Sequence, residues 1–325
     1  MSEATLQVAS TATTECQVRR RSVIARLEPF LAYVVLSIIA FRLTVADWLP
    51  LFSVVYYATP WVLVCGASIV AAICSAIAGE PTRVGILLFA VVGSGLFVFQ
   101  QSWRTNSVSA EDSDLSIFFW NVYGTTQGWD GIVETIRAHD PDIIAISEGG
   151  PNRPEKIARY LEAFPEYDGS DLKGGMIILT RGELGAVSYD EFGNHGSMRS
   201  ANVKINGNTY YLVLVDIDSN PIYSRRRTLL RLASFVEQWE DRRLIVVGDF
   251  NTPLDSRHFD PLRRKLHHAF TENGNGWAPT WPLPIPMLEL DHVWSNDRVM
   301  ITECQHLWTN NSDHRPVFAK FRVAR

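Results

Sequence analysis

Apolar positions are distributed in two unlike ways along this 325-residue chain. Up to residue 103 they form long uncharged stretches, and beyond it they come in short runs separated by polar turns. Residues 84–103 carry no charge, are flanked by Arg83 and Arg104, and have about the length a helix needs to cross a hydrocarbon core. Residues 48–79 are also uncharged but too long for one straight span. Their best crossing is 59–78, with 49–57 lying at the interface or extending a tilted helix. Residues 30–45 are a shorter third candidate, in which Arg42 must snorkel to the headgroups. Any one of these segments could be a buried core helix, but three in succession read as membrane spans.

The later part predicts alternating strands and helices. Residues 115–120 form an aromatic-rich strand bounded by Asn121 and Gly124. Ile132, Val133 and Ile136 mark a helix over 129–139, stopped by Asp140-Pro141. Residues 142–147 are the next buried strand, and Ile157, Ala158 and Leu161 stripe a helix over 155–164. Strands follow at 176–180 and 210–215. Leu229, Leu232, Ala233, Val236 and Trp239 make an amphipathic helix, and 244–247 is a wholly apolar strand. A second helix near 256–268, a Gly/Pro/Trp-rich loop and strands near 288–294, 299–306 and 317–323 complete the pattern. Strands outnumber helices and several follow one another directly, which favours two packed sheets with helices outside over a singly wound parallel sheet.

Composition adds sidedness and charge. Arg19, Arg20, Arg21 and Arg26 place the N-terminus in the cytoplasm by the positive-inside rule. Three crossings then put the remainder on the outer side; if 30–45 does not span, the orientation reverses. Further apolar stretches after the first argue against a cleaved signal. The expected divisions are a tail (1–28), a transmembrane region of about three helices (29–103), a polar tether (104–113) and a soluble domain (114–325). Six of the 30 basic and five of the 35 acidic residues precede position 104, leaving 24 basic against 30 acidic and a net charge of −6. That balance weighs against a duplex-DNA binder. Only Cys304 of the four cysteines lies in the soluble part, so no disulfide forms within it.

Polar residues recur where apolar runs end. Glu148 follows an Ile, Ile, Ala, Ile strand, where a carboxylate suits a hard divalent ion; alone it reads as a loop glutamate. Asn121 ends an adjacent strand and could orient a metal or its water; alone it is a turn asparagine. In GDFN, Gly248 permits a tight turn, Asp249 can align or deprotonate water, and Asn251 can donate to a phosphoryl oxygen. Asp313 and His314 precede the last strand, one suited to a metal's water ligand and the other to a phosphate. Arg199, Arg181 and His195 are weighed against ordinary surface roles, and Trp281 either walls a groove or packs its loop.

Together WNVYG, IAISEGG, GDFNTP, PTWP with LDHVWSN, and SDHRPV, in this order, resemble the endonuclease/exonuclease/phosphatase superfamily across nearly all of residues 114–325. The resemblance implies a four-layer αββα sandwich of two mixed sheets. It implies Glu148 as metal ligand, assisted by Asn121 and Asp313, and Asp249 with Asn251 as the pair orienting water and phosphate. It makes His314 the phosphate-binding histidine with Asp291 as its buried partner, and Mg2+ or Mn2+ as cofactor. One position departs: many members carry a histidine where Asp216 stands, and a carboxylate there repels phosphate unless protonated or holding a cation. Asp216 thus enters the substrate-binding candidates with Arg199 and Trp281.

The expected function is a membrane-anchored, magnesium-dependent hydrolase of a phosphodiester, phosphomonoester or pyrophosphate outside the cytoplasmic membrane. The short tether shifts weight toward a membrane lipid or a phosphorylated small molecule of the envelope as partner. An anchored nuclease is the second reading, with nucleic acid less favoured by the charge, and a non-catalytic phospholipid-binding module is the third. No protein partner can be inferred.

Overall fold

The computed structural model describes the backbone of residues 3–107, 109–150, 155–192 and 195–324, with side chains from residue 23 onward. Residues 1–2 of the expected tail, residue 108 of the expected tether, and the side chains of Arg19, Arg20 and Arg21 lie outside the described residues. The chain divides into two compact units, one of Met1–Ala46 with Ala58–Gln100 and the other of Asp47–Tyr57 with Gln101–Arg325.

The first unit is helical, comprising Glu3–Thr44, Trp61–Ala78 and Pro81–Ser102. Three segments, Val23–Thr44, Trp61–Ala78 and Pro81–Ser102, are long and apolar enough to cross a membrane. Ala32, Val35, Ala71, Ala72 and Leu87 pack between these helices, where small side chains let backbones approach. Arg42 differs from the snorkelling expectation. It is buried, its Nη1 donates to the Thr59 carbonyl at 2.7 Å, and its guanidinium lies 4.8 Å from the Trp61 ring centroid. A carbonyl left over just before the helix that starts at Trp61 satisfies the charge locally.

The second unit is a four-layer αββα sandwich. One sheet runs in the order Val299–His306, Val317–Val323, Leu115–Asn121, Ile143–Ser147, Ile177–Thr180, Asp168–Asp171. The other runs His267–His268, Asp291–Ser295, Arg243–Asp249, Asn208–Ile217, Gly196–Ile205, Glu183–Glu191. Each contains one parallel pair among antiparallel ones: Leu115–Asn121 with Ile143–Ser147, and Asn208–Ile217 with Arg243–Asp249. The period of two explains the continuous apolar runs. Ile117, Phe119, Ile245 and Val247 point into the core between the sheets. Phe118 and Trp120 point the other way, onto the helices Trp129–Arg137 and Glu155–Ala163, while Leu244 and Val246 meet the helix Arg225–Glu237.

Several local expectations change. The stretch near 256–268 is a 3-10 turn, Arg257–Phe259, and a short helix, Asp260–Arg263, before the chain turns extended at His267–His268 to pair with Asp291–Ser295. Tertiary strand pairing overrides the helical pattern there. The edge strand Asp168–Asp171 has no apolar residue, and the mostly exposed Glu183–Glu191 packs only Leu184 and Val187 against the core, so neither carries a strong apolar signal. Part of the expected tether lies on the domain: Trp103–Thr105 pairs with Asn275–Trp277, and Ser109 N donates to Thr302 O at 3.2 Å. The segment before the second span forms its own helix, Pro50–Ala58. Just ahead of it the Asp47 carbonyl meets His258 Nε2 at 2.9 Å and its carboxylate accepts from Ser256 Oγ.

Gly248 has a different reason from the turn expected of it. It lies within the strand Arg243–Asp249, and a Cβ there would come 2.0 Å from the Val215 carbonyl oxygen of the neighbouring parallel strand. Gly248→Ala must therefore push two central strands apart immediately beside Asp249. Its unfolding free energy is expected to fall by about 1–3 kcal/mol, read by chemical denaturation of the solubilised full chain.

Candidate active site

The parallel pairings put the candidate residues at one end of both sheets. Asn121 closes its strand in register with Ser147, and Glu148 follows directly. Across the interface, Asp249 stands opposite Asp216 on one side and Asp291 on the other, giving a row of three carboxyls on adjacent strands. His314 comes from the loop that leads into Val317–Val323.

Asn121 joins the two sheets. Its Nδ2 donates to Glu148 Oε1 at 3.0 Å and to Asp249 Oδ2 at 3.0 Å, while its Oδ1 accepts from the Tyr123 backbone N–H at 3.0 Å. Because the oxygen is committed to Tyr123, the amide turns donors toward both carboxylates and positions them. Asn251 N donates to Asp249 Oδ1 at 2.8 Å, and Asn251 Nδ2 to Ile217 O at 2.8 Å. His314 Nδ1 bonds Asp291 Oδ2 at 2.8 Å, while its Nε2 lies 3.9 Å from Asp249 Oδ2, too far for a hydrogen bond. Asn121, Asp249, Asp291 and His314 are buried; Asn251, Asp216 and Asp313 are half-buried, and Glu148 is exposed.

Glu148 and Asn251 both hold a left-handed backbone, with φ of 50° and 44°. Asparagine adopts that region readily, but for glutamate it costs energy that the surroundings must offset. The Gly149 N–H to Gly175 carbonyl bond at 2.7 Å and the Gly124 N–H to Glu148 carbonyl bond at 2.8 Å fasten the turn on both sides.

Electrostatics follow from the crowding. Burial first, and then Asp291, raises the Asp249 pKa, against the pull of His314, the Asn251 N–H and Asn121. At His314 burial opposes the charged form, but Asp291 and Asp249 outweigh it and the pKa rises. The direction that holds for this pair is an imidazolium on His314, since both nitrogens face carboxylates and Asp249 keeps two other donors. Asp216 is pushed well above the usual carboxylate range by burial, then by Asp249 and Glu148. A neutral carboxyl there removes the repulsion of phosphate that a carboxylate in place of histidine would bring.

Hard oxygen donors, an exposed Glu148 and an excess of crowded negative charge suit a divalent cation such as magnesium or manganese. Asp313, next to His314 in sequence, accepts from Trp281 Nε1 through its Oδ2 at 3.1 Å. Asp249, Asp291 and His314 also offer ligand atoms within 4.8 Å of one another. Their geometry, a histidine seated between two carboxylates, is better suited to holding a proton than an ion. Arg199 is placed elsewhere in role: its guanidinium donates to the carbonyls of Leu172, Asp190 and Met198 and to Glu191, so it fastens strands.

Two residues without a sequence signal organise the site. Ser312 Oγ donates to the Asn121 carbonyl at 2.7 Å and accepts from His314 N at 3.1 Å; Trp120 Nε1 donates to the His314 carbonyl at 3.0 Å. A cleft of about 460 Å³ adjoins Ser312, lined by residues that include Gln127, Leu283, Pro284, Trp308 and Asp313.

The chain belongs to the endonuclease/exonuclease/phosphatase family, whose sequence profile matches residues 118–314. Among similar solved structures is D. rerio TDP2 complexed with a single-strand DNA product, at 16% identity and TM-score 0.53, covering 65% of this chain and 100% of that one. A Bacteroides thetaiotaomicron mannosyl-6-phosphatase is similar at 15% identity and TM-score 0.53, covering 64% and 100%. The human Nocturnin catalytic domain with a bound sulfate gives 15% identity and TM-score 0.51, covering 65% and 95%. At these identities the likeness is one of fold. No curated protein sequence matches the chain.

Ser312→Ala leaves a buried carbonyl and a buried N–H without their shared partner. It is expected to destabilise the domain by about 1–3 kcal/mol and to lower kcat by more than it changes KM. A kcat equal to that of the unaltered protein would show that Ser312 does not align Asn121 and His314.

Proposed function

We propose that this protein is a membrane-anchored, metal-dependent phosphoesterase acting on a lipid-linked or envelope phosphodiester, phosphomonoester or pyrophosphate. The observation that carries the reading is the Asn121 amide, which draws Glu148 from one sheet and Asp249 from the other to within 3.0 Å of a single nitrogen. Glu148 and Asp313 are the carboxylates that would hold magnesium or manganese, and the ion would offset charge on a phosphoryl oxygen.

The remaining roles belong to side chains. Asp249, fixed through both oxygens by Asn251 and Asn121, orients the attacking water and takes its proton. His314, held at Nδ1 by Asp291, presents a charged Nε2–H to a phosphoryl oxygen in the interior of the site, where such a donor stabilises developing charge. Asn251 gives one amide hydrogen to Ile217 and has a second for substrate. Asp216 as a neutral acid replaces the histidine found in many family members and supplies a hydrogen-bond donor near the leaving group.

Support for a membrane location comes from chain connectivity. Asp47–Tyr57 folds with the catalytic unit, and two candidate spans, Trp61–Ala78 and Pro81–Ser102, separate it in sequence from the rest of that unit. An even number of crossings returns a chain to the side it left, so both pieces of the unit meet on one side only if both helices cross or neither does. With Arg19, Arg20, Arg21 and Arg26 cytoplasmic and Val23–Thr44 crossing too, that side is the outer one.

The test is turnover of bis-p-nitrophenyl phosphate by the detergent-solubilised full chain. Activity is expected to vanish with chelator and return with magnesium, and Asp249→Asn and Glu148→Gln are each expected to lower kcat by roughly 10²–10⁴. Activity that survives either substitution at full rate rejects the site. A preference for single-stranded DNA with steep salt dependence, over lipid pyrophosphate, would move the substrate assignment to nucleic acid.

A further inference from the structure

A second group of ligand-type side chains lies on the opposite face of the strand that begins at Asp291. Successive residues point to opposite faces, so Val293 enters the core between the sheets while His292 and Trp294 point to the outer layer. His268, on the paired short strand, and Glu289, two residues before Asp291, meet His292 there. All three are buried, with relative exposures of 6%, 6% and 0%.

One ligand atom from each lies within 4.8 Å of the other two. His268 Nε2 is 3.1 Å from His292 Nδ1 and 3.7 Å from Glu289 Oε1. Without an ion the imidazoles satisfy each other: Thr271 N–H reaches His268 Nδ1, His268 Nε2–H reaches His292 Nδ1, and His292 Nε2–H reaches Thr252 O. That arrangement leaves Glu289 Oε1 buried with no hydrogen-bond partner. An orphaned buried carboxylate oxygen beside two imidazole nitrogens is costly unless something else engages it.

We propose that His268, Glu289 and His292 form a structural site for a borderline divalent transition ion, with zinc as its occupant. Tetrahedral zinc with bonds of about 2.0–2.1 Å has ligand atoms about 3.3 Å apart, and the two edges of 3.1 and 3.7 Å bracket that value. Two imidazoles with one carboxylate select zinc over magnesium or calcium, which prefer all-oxygen sets. His292 Nε2 reaches the Thr252 carbonyl at 3.2 Å, the outer contact a ligating histidine uses. His268 Nδ1 lies 2.8 Å from Thr271 Oγ1 and 3.2 Å from Thr271 N, so ligation through Nε2 would make Nδ1 a donor to the hydroxyl in place of an acceptor for the N–H. The ion would tie the short strand His267–His268 and the 289 turn to Asp291–Ser295, independently of the catalytic reading above.

The experiment is metal analysis of the full chain, purified from zinc-containing medium and dialysed, together with visible spectroscopy after cobalt replacement. About one zinc per chain is expected, with the intense bands of tetrahedral cobalt. Glu289→Gln and His268→Gln are expected to weaken zinc at least tenfold and to remove those bands. Glu148→Gln is expected to leave the zinc content unchanged, which separates this site from the first. No zinc above trace in the wild-type chain, weak octahedral cobalt bands, or unchanged zinc in folded Glu289→Gln protein would overturn the proposal. Should the variants fail to fold, the wild-type cobalt spectrum alone decides.

Discussion

Two carboxylates from different sheets are held on one amide nitrogen, and this constraint organises the candidate-site end of the domain. Glu148 and Asp249 repel one another, and Asp249 is further crowded by Asp216 and Asp291 in the adjoining strands. Asn121 Nδ2 donates to both carboxylates, and it faces them because Tyr123 N–H claims its oxygen. That in turn requires the turn after Asn121, which Ser312 fastens through the Asn121 carbonyl while also holding His314 N. A chain of local hydrogen bonds thus sets the distance between charges on separate sheets. The Asp249 charge is costly enough in its buried setting that its donors cannot be dispensable.

How legible this was depends on the range of the interaction. Runs such as 115–120 and 244–247 announce themselves as strands because both of their faces are buried, and the polar residue that ends each is then conspicuous. Asn121, Glu148, Asp249 and His314 could be picked out that way, and Asp291 through the order of motifs. Gly248 could not be read correctly, because its reason is the Val215 carbonyl on a strand more than thirty residues earlier. Ser312 and Trp120 carry no signal, since a serine before an aspartate and a tryptophan in an apolar run have ordinary explanations. Arg199 looked like a candidate anion ligand and is a strand fastener, because three carbonyls and Glu191 lie around it in the fold alone. The same holds for 256–268, where a helical-looking pattern gives way to pairing with Asp291–Ser295.

Asp216 shows how burial changes the meaning of a residue type. Read as an exposed carboxylate it would oppose any phosphate. In the row with Asp249 and near Glu148, burial and like charge favour its neutral form. A neutral carboxyl donates one hydrogen bond and accepts another, which is what a singly protonated imidazole also does. Under the proposed function, Asp216 in the place of a histidine would keep hydrogen-bonding character while giving up the positive charge. His314, charged by its two carboxylate neighbours, supplies positive charge in its place.

The start of one strand carries both Asp291, the hydrogen-bond partner of His314, and a member of the buried histidine cluster. Asp291 faces the site between the sheets and His292, one residue on, faces the outer layer, because the pleat alternates. The strand has little freedom to rotate there: Asp291 N donates to Thr280 Oγ1 at 3.2 Å, and the register with Asp249 and Gly248 is fixed by pairing. A twist that moved His292 relative to His268 would swing Asp291 in the opposite sense, and with it the imidazole at 2.8 Å that it orients. Rigidity on the outer face is therefore rigidity at the face of the candidate site. A backbone only one residue thick links the two, so whatever engages Glu289, His268 and His292 also sets how firmly His314 is aimed.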